Sequence, residues 1–303
     1  MRQTAAAPEV RSPWVRLSSG ILLALGAMSL TACANPQTVL TQLIEARRLA
    51  SQVHVQFTQS AEAANRAVMA ETDEEAAAAA EETRRAGQVV ERDIQTLRAT
   101  LESLRYRDDL RHLDDFESRF KEYRRLDDEI LPLAVENTNV KAQRLSFGPS
   151  REAAQSFHAA LDQAIRTSTA KVACGAEAVA SRARIAVLEI QVLYAPHIAE
   201  AQDATMTVME TQMTAAADRA RKSLDELRGM LPSRPNTELD AASAALDRFL
   251  SVHKEIITLS RRNSDVRSLA LSLGDKRKVT AECEVHLQAL EEALAKHEFT
   301  ATR

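Results

Sequence analysis

From Val39 onward, apolar residues recur every three or four positions along almost the whole chain, the spacing of one face of an α-helix. The first such stripe runs from Val39 and Leu43 through Leu49, Val53 and Phe57 to Val68. Thr72 followed by Glu75 reads as a capping box, which opens a second helix through Val90, Ile94, Leu97 and Leu101. After a polar turn at 105–109, a third stripe runs from Leu110 through Phe116, Phe120, Tyr123 and Ile130 to Val140. Pro132 inside it predicts a kink or one opened backbone bond. Gly148-Pro149 predicts a stop and a restart, because Gly ends helices and Pro suits a first turn. From Ser150 to Ala195 only Gly175 interrupts the pattern, so a single helix of about 45 residues is expected, roughly 65–70 Å long and limited by Pro196. Further helices are predicted over Asp203–Leu231, Thr237–Leu273 and Lys276–Glu298, with 232–236 the clearest turn.

The pattern also repeats. Residues 113–148 align with 239–274 without a gap, at a constant offset of 126 residues. Leu113/Leu239, Asp114/Asp240, Ile130/Ile256, Leu133/Leu259, Asn137/Asn263, Val140/Val266 and Gly148/Gly274 are identical pairs. Each copy holds three long helices and a fourth after its Gly turn. The expected fold class is all-α: two up-down four-helix bundles, stacked end to end through a long shared helix. The corresponding division is a signal peptide at 1–32, a tether at 33–38, a first bundle at 39–166 and a second at 167–299.

Composition narrows the classes further. Only 4 % of residues are aromatic, and 7 Gly and 8 Pro leave few turns, which excludes a sandwich or barrel. A hydrophobic fraction of 45 % beside 27 % charged residues excludes a disordered chain. The formal charge of −4, with no basic stripe, argues against nucleic acid as a partner.

The N-terminus reads as an address. Arg2, Arg11 and Arg16 precede the apolar run Leu17–Leu30, which is shorter than the ~20 residues of a spanning helix. Leu30-Thr31-Ala32-Cys33 resembles the lipobox of bacterial lipoproteins. That resemblance implies cleavage before Cys33, acylation of its sulfur and attachment to the membrane by lipid. Ala34 in place of Asp then implies the outer membrane, with the protein facing the periplasm of the bacterial envelope. A retained signal anchor is the alternative. Trp14, the only Trp, would leave with the signal.

Candidate chemistry is sparse. Asn137, Asn139 and Lys141 in copy one match Asn263, Asp265 and Arg267 in copy two, with i and i+4 on one helix face. They form either a site for a small anion or amino acid, or buried polar residues that fix helix register. Met206, Met209 and Met213 suit Cu(I) in type, but without a second His or Cys at ligand spacing they read as core filling, and no metal or cofactor is expected. With no HExxH, phosphate loop or nucleophile elbow, an enzyme is not expected. Cys174 and Cys283 fall on helices one and four of the second bundle, about 20 Å apart by helix rise, so they are expected to be free or joined only between molecules.

Residues 136–149, ENTNVKAQRLSFGP, resemble the third-to-fourth-helix region of the four-helix-bundle sensor domain of methyl-accepting chemotaxis receptors. The resemblance implies a periplasmic domain that binds small ligands or partner proteins and often dimerises through its first and fourth helices. The sequence lacks that family's second membrane helix and signalling hairpin, so a separate transducer protein is the expected partner. A structural envelope lipoprotein without a ligand, and a degenerate receptor with a retained anchor, are the competing readings.

Overall fold

The computed structural model describes residues 36–167, 170–231 and 237–297; the expected signal peptide at 1–32, with Trp14, and Cys33 lie outside the described residues. The described chain is helical, without strands: α1 Pro36–Val68, α2 Asp73–Leu104, α3 Arg107–Glu136, α4 Thr138–Phe147, α5 Pro149–Arg166, α6 Ala170–Val192, α7 Tyr194–Ala199, α8 Asp203–Met230, α9 Thr237–Arg262, α10 Ser264–Leu271 and α11 Arg277–Lys296. One π-helical turn, Ser272–Lys276, joins α10 to α11. The Thr72 cap forms as read, its hydroxyl accepting the Glu75 N–H at 3.1 Å. Helix α1 begins at Pro36, inside the expected tether. Helix α2 ends at Arg105, a left-handed residue with φ 57°, where the Tyr106 N–H donates back to the Leu101 carbonyl.

The helices build two bundles. In bundle A, α1, α2, α3 and α11 enclose a core of Leu49, Val53, Phe57, Ile94, Leu97, Phe116, Phe120, Tyr123, Leu287 and Leu290. In bundle B, α5, α6, α8 and α9 enclose Phe157, Leu161, Ala183, Val187, Ile190, Met213, Leu224, Leu246 and Phe249. Phe57 meets Phe116, Phe120 and Tyr123 edge-on at 5.1–6.2 Å between ring centres.

Two sequence expectations are corrected here. The division at 166/167 marks the sequence repeat but not the spatial bundles, because the copies exchange their fourth helices. Helix α11, from copy two, packs on α3 and α1 of copy one, and α5, from copy one, packs on α9 of copy two. A periodic stripe states which face of a helix is buried, not which helices bury it, so the exchange is invisible to the pattern. The long shared helix is also absent. Helix α5 stops at Arg166, where the Thr167 N–H and hydroxyl both reach the Gln163 carbonyl. Helix α6 then returns antiparallel to it, with Asp162 paired to Arg184 and Ser150 beside Tyr194. Thr167-Ser168-Thr169 is a run of hydroxyl residues that compete with helical backbone bonding. Pro132 lies inside α3, which continues past it to Glu136.

Bundle A brings the beginning of α1 and the end of α11 to one end of the molecule. Arg47 donates to the carbonyls of Leu294, Ala295 and His297 there. Cys174 and Cys283 are both free, and they lie in different bundles, not on neighbouring helices of one.

Candidate functional site

Where the chain crosses between bundles, the six polar residues singled out in the sequence come together. Asn137 (φ 50°, ψ 43°) and Asn263 (φ 52°, ψ 39°) adopt the left-handed conformation, which Asn tolerates better than other L-residues. Each turn ends a long helix and starts a short one, α4 or α10, that carries the chain into the other bundle. An Asn in this conformation does not cap its own helix, and neither short helix has a side-chain cap from its own start. The caps come from the opposite repeat.

The exchange is reciprocal. The Thr138 N–H donates to Ser264 Oγ at 3.1 Å, and the Ser264 N–H to Thr138 Oγ1 at 3.0 Å. The Asn139 and Val140 N–H groups donate to Asp265 Oδ2 at 2.7 and 3.3 Å, and the Asp265 N–H to Asn139 Oδ1 at 3.2 Å. Glu136 pairs with Arg262. Most of these partners are 126 residues apart, so the repeat offset is also the contact offset, and a pseudo-two-fold axis passes through the crossing. The Asn139 amide further donates to Asn263 Oδ1 and the Ile198 carbonyl, and the Asn263 amide to the Glu200 carbonyl.

The pseudo-symmetry breaks at three places. Asn137 is buried but its Nδ2 has no protein partner, unlike that of Asn263. Lys141 binds Asp73 and the Glu136 carbonyl, both at 2.8 Å, while its counterpart Arg267 is exposed. The third break is a polar layer inside each bundle. In bundle A the buried Asp127 pairs with the buried Lys276, whose Nζ lies 4.7 Å from the Tyr123 ring centre. In bundle B the equivalent positions are His253 and Ser150. Burial drives the His253 pKa down to about 4, helped by the charge of His197, so a neutral imidazole lies beside Tyr194. The π turn belongs to the same difference: Asp275 stands where copy one has Pro149, so the chain stays helical there and swings Lys276 into the core.

Sequence reasoning missed both polar layers and a third cluster. His197 is fully buried, with Nδ1 2.8 Å from Ser260 Oγ and Nε2 3.0 Å from Glu210, which Arg261 also holds. The Ser260 hydroxyl donates to the His197 carbonyl, so the trio ties α7 to α8 and α9 and presents no free nucleophile. The signal available was polar residues at core-stripe positions: Asp127 between Tyr123 and Ile130, and Ser260 beside Ile256. Met206, Met209 and Met213 are buried, the last two in the bundle B core.

His54 clamps the exchanged helix. Its Nδ1 lies 3.0 Å from Glu291 and its Nε2 2.6 Å from Glu284, both on α11. Burial works against a charged ring, but the two hydrogen bonds and carboxylate charges outweigh it and raise the His54 pKa. A raised folded-state pKa stabilises below the unfolded value near 6.5 and is lost as pH rises through the folded value. Wild-type protein should therefore lose melting temperature from pH 6 toward pH 8 relative to His54→Gln, in calorimetry of both proteins. Parallel curves for the two would refute the clamp.

No protein-family model matches the chain, and no curated protein matches it in sequence. The fold has a counterpart among solved structures. It is similar to the V. parahaemolyticus histidine kinase sensor TorS sensor domain, at a TM-score of 0.53 and 13 % identity, over 82 % of this chain and 99 % of that one. Among the described residues, no helix is long and apolar enough to cross a membrane.

Proposed function

We propose that this chain is an extracytoplasmic, sensor-like binding module of the bacterial envelope. A lipid on Cys33 holds it to the outer membrane facing the periplasm, and a separate transducer reads it. The observation that carries the reading is the crossing of two bundles at one reciprocal polar joint, in a fold shared with a kinase sensor domain. A ligand that shifts the joint moves α3 and α10 together. Helix α10 leads directly into α11, which ends beside the start of α1. The buried Asn137 amide, which lacks a protein partner, and the Lys141–Asp73 pair are the groups of the joint assigned to a small anion or amino acid.

A thermal-shift screen with amino and organic acids tests this. A ligand at about a hundred times its Kd should add about 2.7 kcal/mol of stability. That corresponds to roughly 5–10 °C for a protein of this size. The shift should vanish in Asn137→Gly, which keeps the left-handed turn and removes the amide. A screen without any shift, or a shift indifferent to Asn137→Gly, would favour a spacer lipoprotein. For the anchor, Cys33→Ser should leave an uncleaved precursor without acyl label; normal maturation would refute lipidation.

A further inference from the structure

Helix α6 is apolar on two sides. Ala176, Val179, Ala180, Ala183, Val187 and Ile190 are buried in bundle B. Cys174, Ala178, Ser181, Ile185, Leu188 and Val192 form a second stripe that faces outward, and all six are uncharged. Ile185, Leu188 and Val192 are 54 %, 47 % and 73 % exposed, an unusual state for three large aliphatic side chains on one helix.

The intervals along that stripe alternate four and three residues, the a/d seam of a coiled coil. With Ile185 at a and Leu188 at d, the flanking g positions hold Glu177 and Arg184, and the flanking e positions hold Arg182 and Glu189. In a parallel pair, each g side chain faces the e side chain of the following heptad on the partner helix. Glu177 then faces Arg182 of the second copy, and Arg184 faces Glu189. Both pairs are opposite in charge. Antiparallel pairing with the same overlap places Arg182 against Arg182 and Arg184 against Arg184, which repel.

We propose that α6 is a dimerisation helix, packed in parallel against α6 of a second copy of this chain. The two-fold axis then runs along the bundles, and both bases point the same way, as attachment to one membrane requires. Within one molecule the flanking charges make ion pairs, Glu177 with Arg184 and Arg182 with Glu226 at 2.8 Å and Glu189 with Arg219. Most of these side chains are well exposed, and exposed pairs of this kind can exchange partners at little cost. A groove of about 570 Å³ borders the seam, lined by Ile185, Leu188 and Val192 with Gln212 and Ala215 of α8, and it gives the partner's side chains room to seat.

Cys174 supplies the readout. It is exposed and at a d position, where a parallel seam brings it to its own copy within the ~7 Å between Cα atoms that a disulfide needs. Mild copper–phenanthroline oxidation of the full chain in its membranes should give a covalent dimer on a non-reducing gel. Cys174→Ser should remove it, and Ser181→Cys in that background should restore it. Leu188→Glu should abolish both the cross-link and the dimer seen by sedimentation, while the helical circular dichroism stays at the wild-type level because Leu188 is exposed in the single chain. Glu177→Arg should weaken association, and adding Arg182→Glu should recover it. A monomer by sedimentation, a dimer indifferent to Leu188→Glu, or failure of both the Cys174 and Ser181→Cys cross-links would each overturn the proposal.

Discussion

Lys276→Met should destabilise the protein by about 3–5 kcal/mol, the cost of leaving a buried carboxylate without its counter-ion. Adding Asp127→Leu should return most of that loss. Asp127 and Lys276 are each almost wholly buried in bundle A, and the ammonium lies against the carboxylate and the Tyr123 ring. Burial pushes the Asp127 carboxyl above its usual range and the Lys276 amine below its own, while their mutual attraction and hydrogen bond oppose both shifts. Breaking one side therefore exposes the desolvation cost of the other. Bundle B shows that the fold does not need a charge at this height: there the layer is a neutral His253, Ser150 and Tyr194. Urea unfolding of both variants checks the expectation. A single Lys276→Met variant within about 1 kcal/mol of wild type would mean the pair is solvated in solution, since surface pairs contribute no more than that.

Most helices were legible because their positions depend on local pattern: apolar spacing, the Thr72 cap and the Gly148-Pro149 restart. The Asn137/Asn263 repeat was legible as a pair of candidate sites, since an offset of 126 residues recurs along the chain. Its meaning was not. That the two motifs cap one another follows from exchange of the fourth helices, and helix partnership is a matter of tertiary packing. The same limit hid the α5–α6 hairpin: a stretch with only Gly175 inside it reads as one helix until its halves are seen to pack on different helices, α5 on α9 and α6 on α8. Asp127 and Lys276 lie 149 residues apart, and nothing local marks either as the other's partner. Nothing local marks the partners of His54 either, since its two carboxylates lie on a helix 230 or more residues further on.

Asp265→Ala should split one unfolding transition into two. Its carboxylate takes the second and third N–H groups of α4, and its own N–H is taken by Asn139. The substitution keeps that last bond but orphans the Asn139 and Val140 donors in a part-buried place, at about 1–3 kcal/mol each if neither finds water. It also removes the negative charge at the start of α4, where the helix dipole favours one. The loss falls on the joint, because each bundle retains its own core. Stability of the joint is what makes the bundles melt as one unit, so weakening it should uncouple them before it unfolds either. Calorimetry of the wild type should show one endotherm, and Asp265→Ala should show two or a clearly broadened one. Asp265→Asn, which retains an acceptor oxygen, should lie between them. One sharp transition in Asp265→Ala, shifted no further than an exposed substitution would shift it, would mean that the bundles are coupled through the exchanged α5 and α11 alone and that the reciprocal caps only trim the ends of α4 and α10.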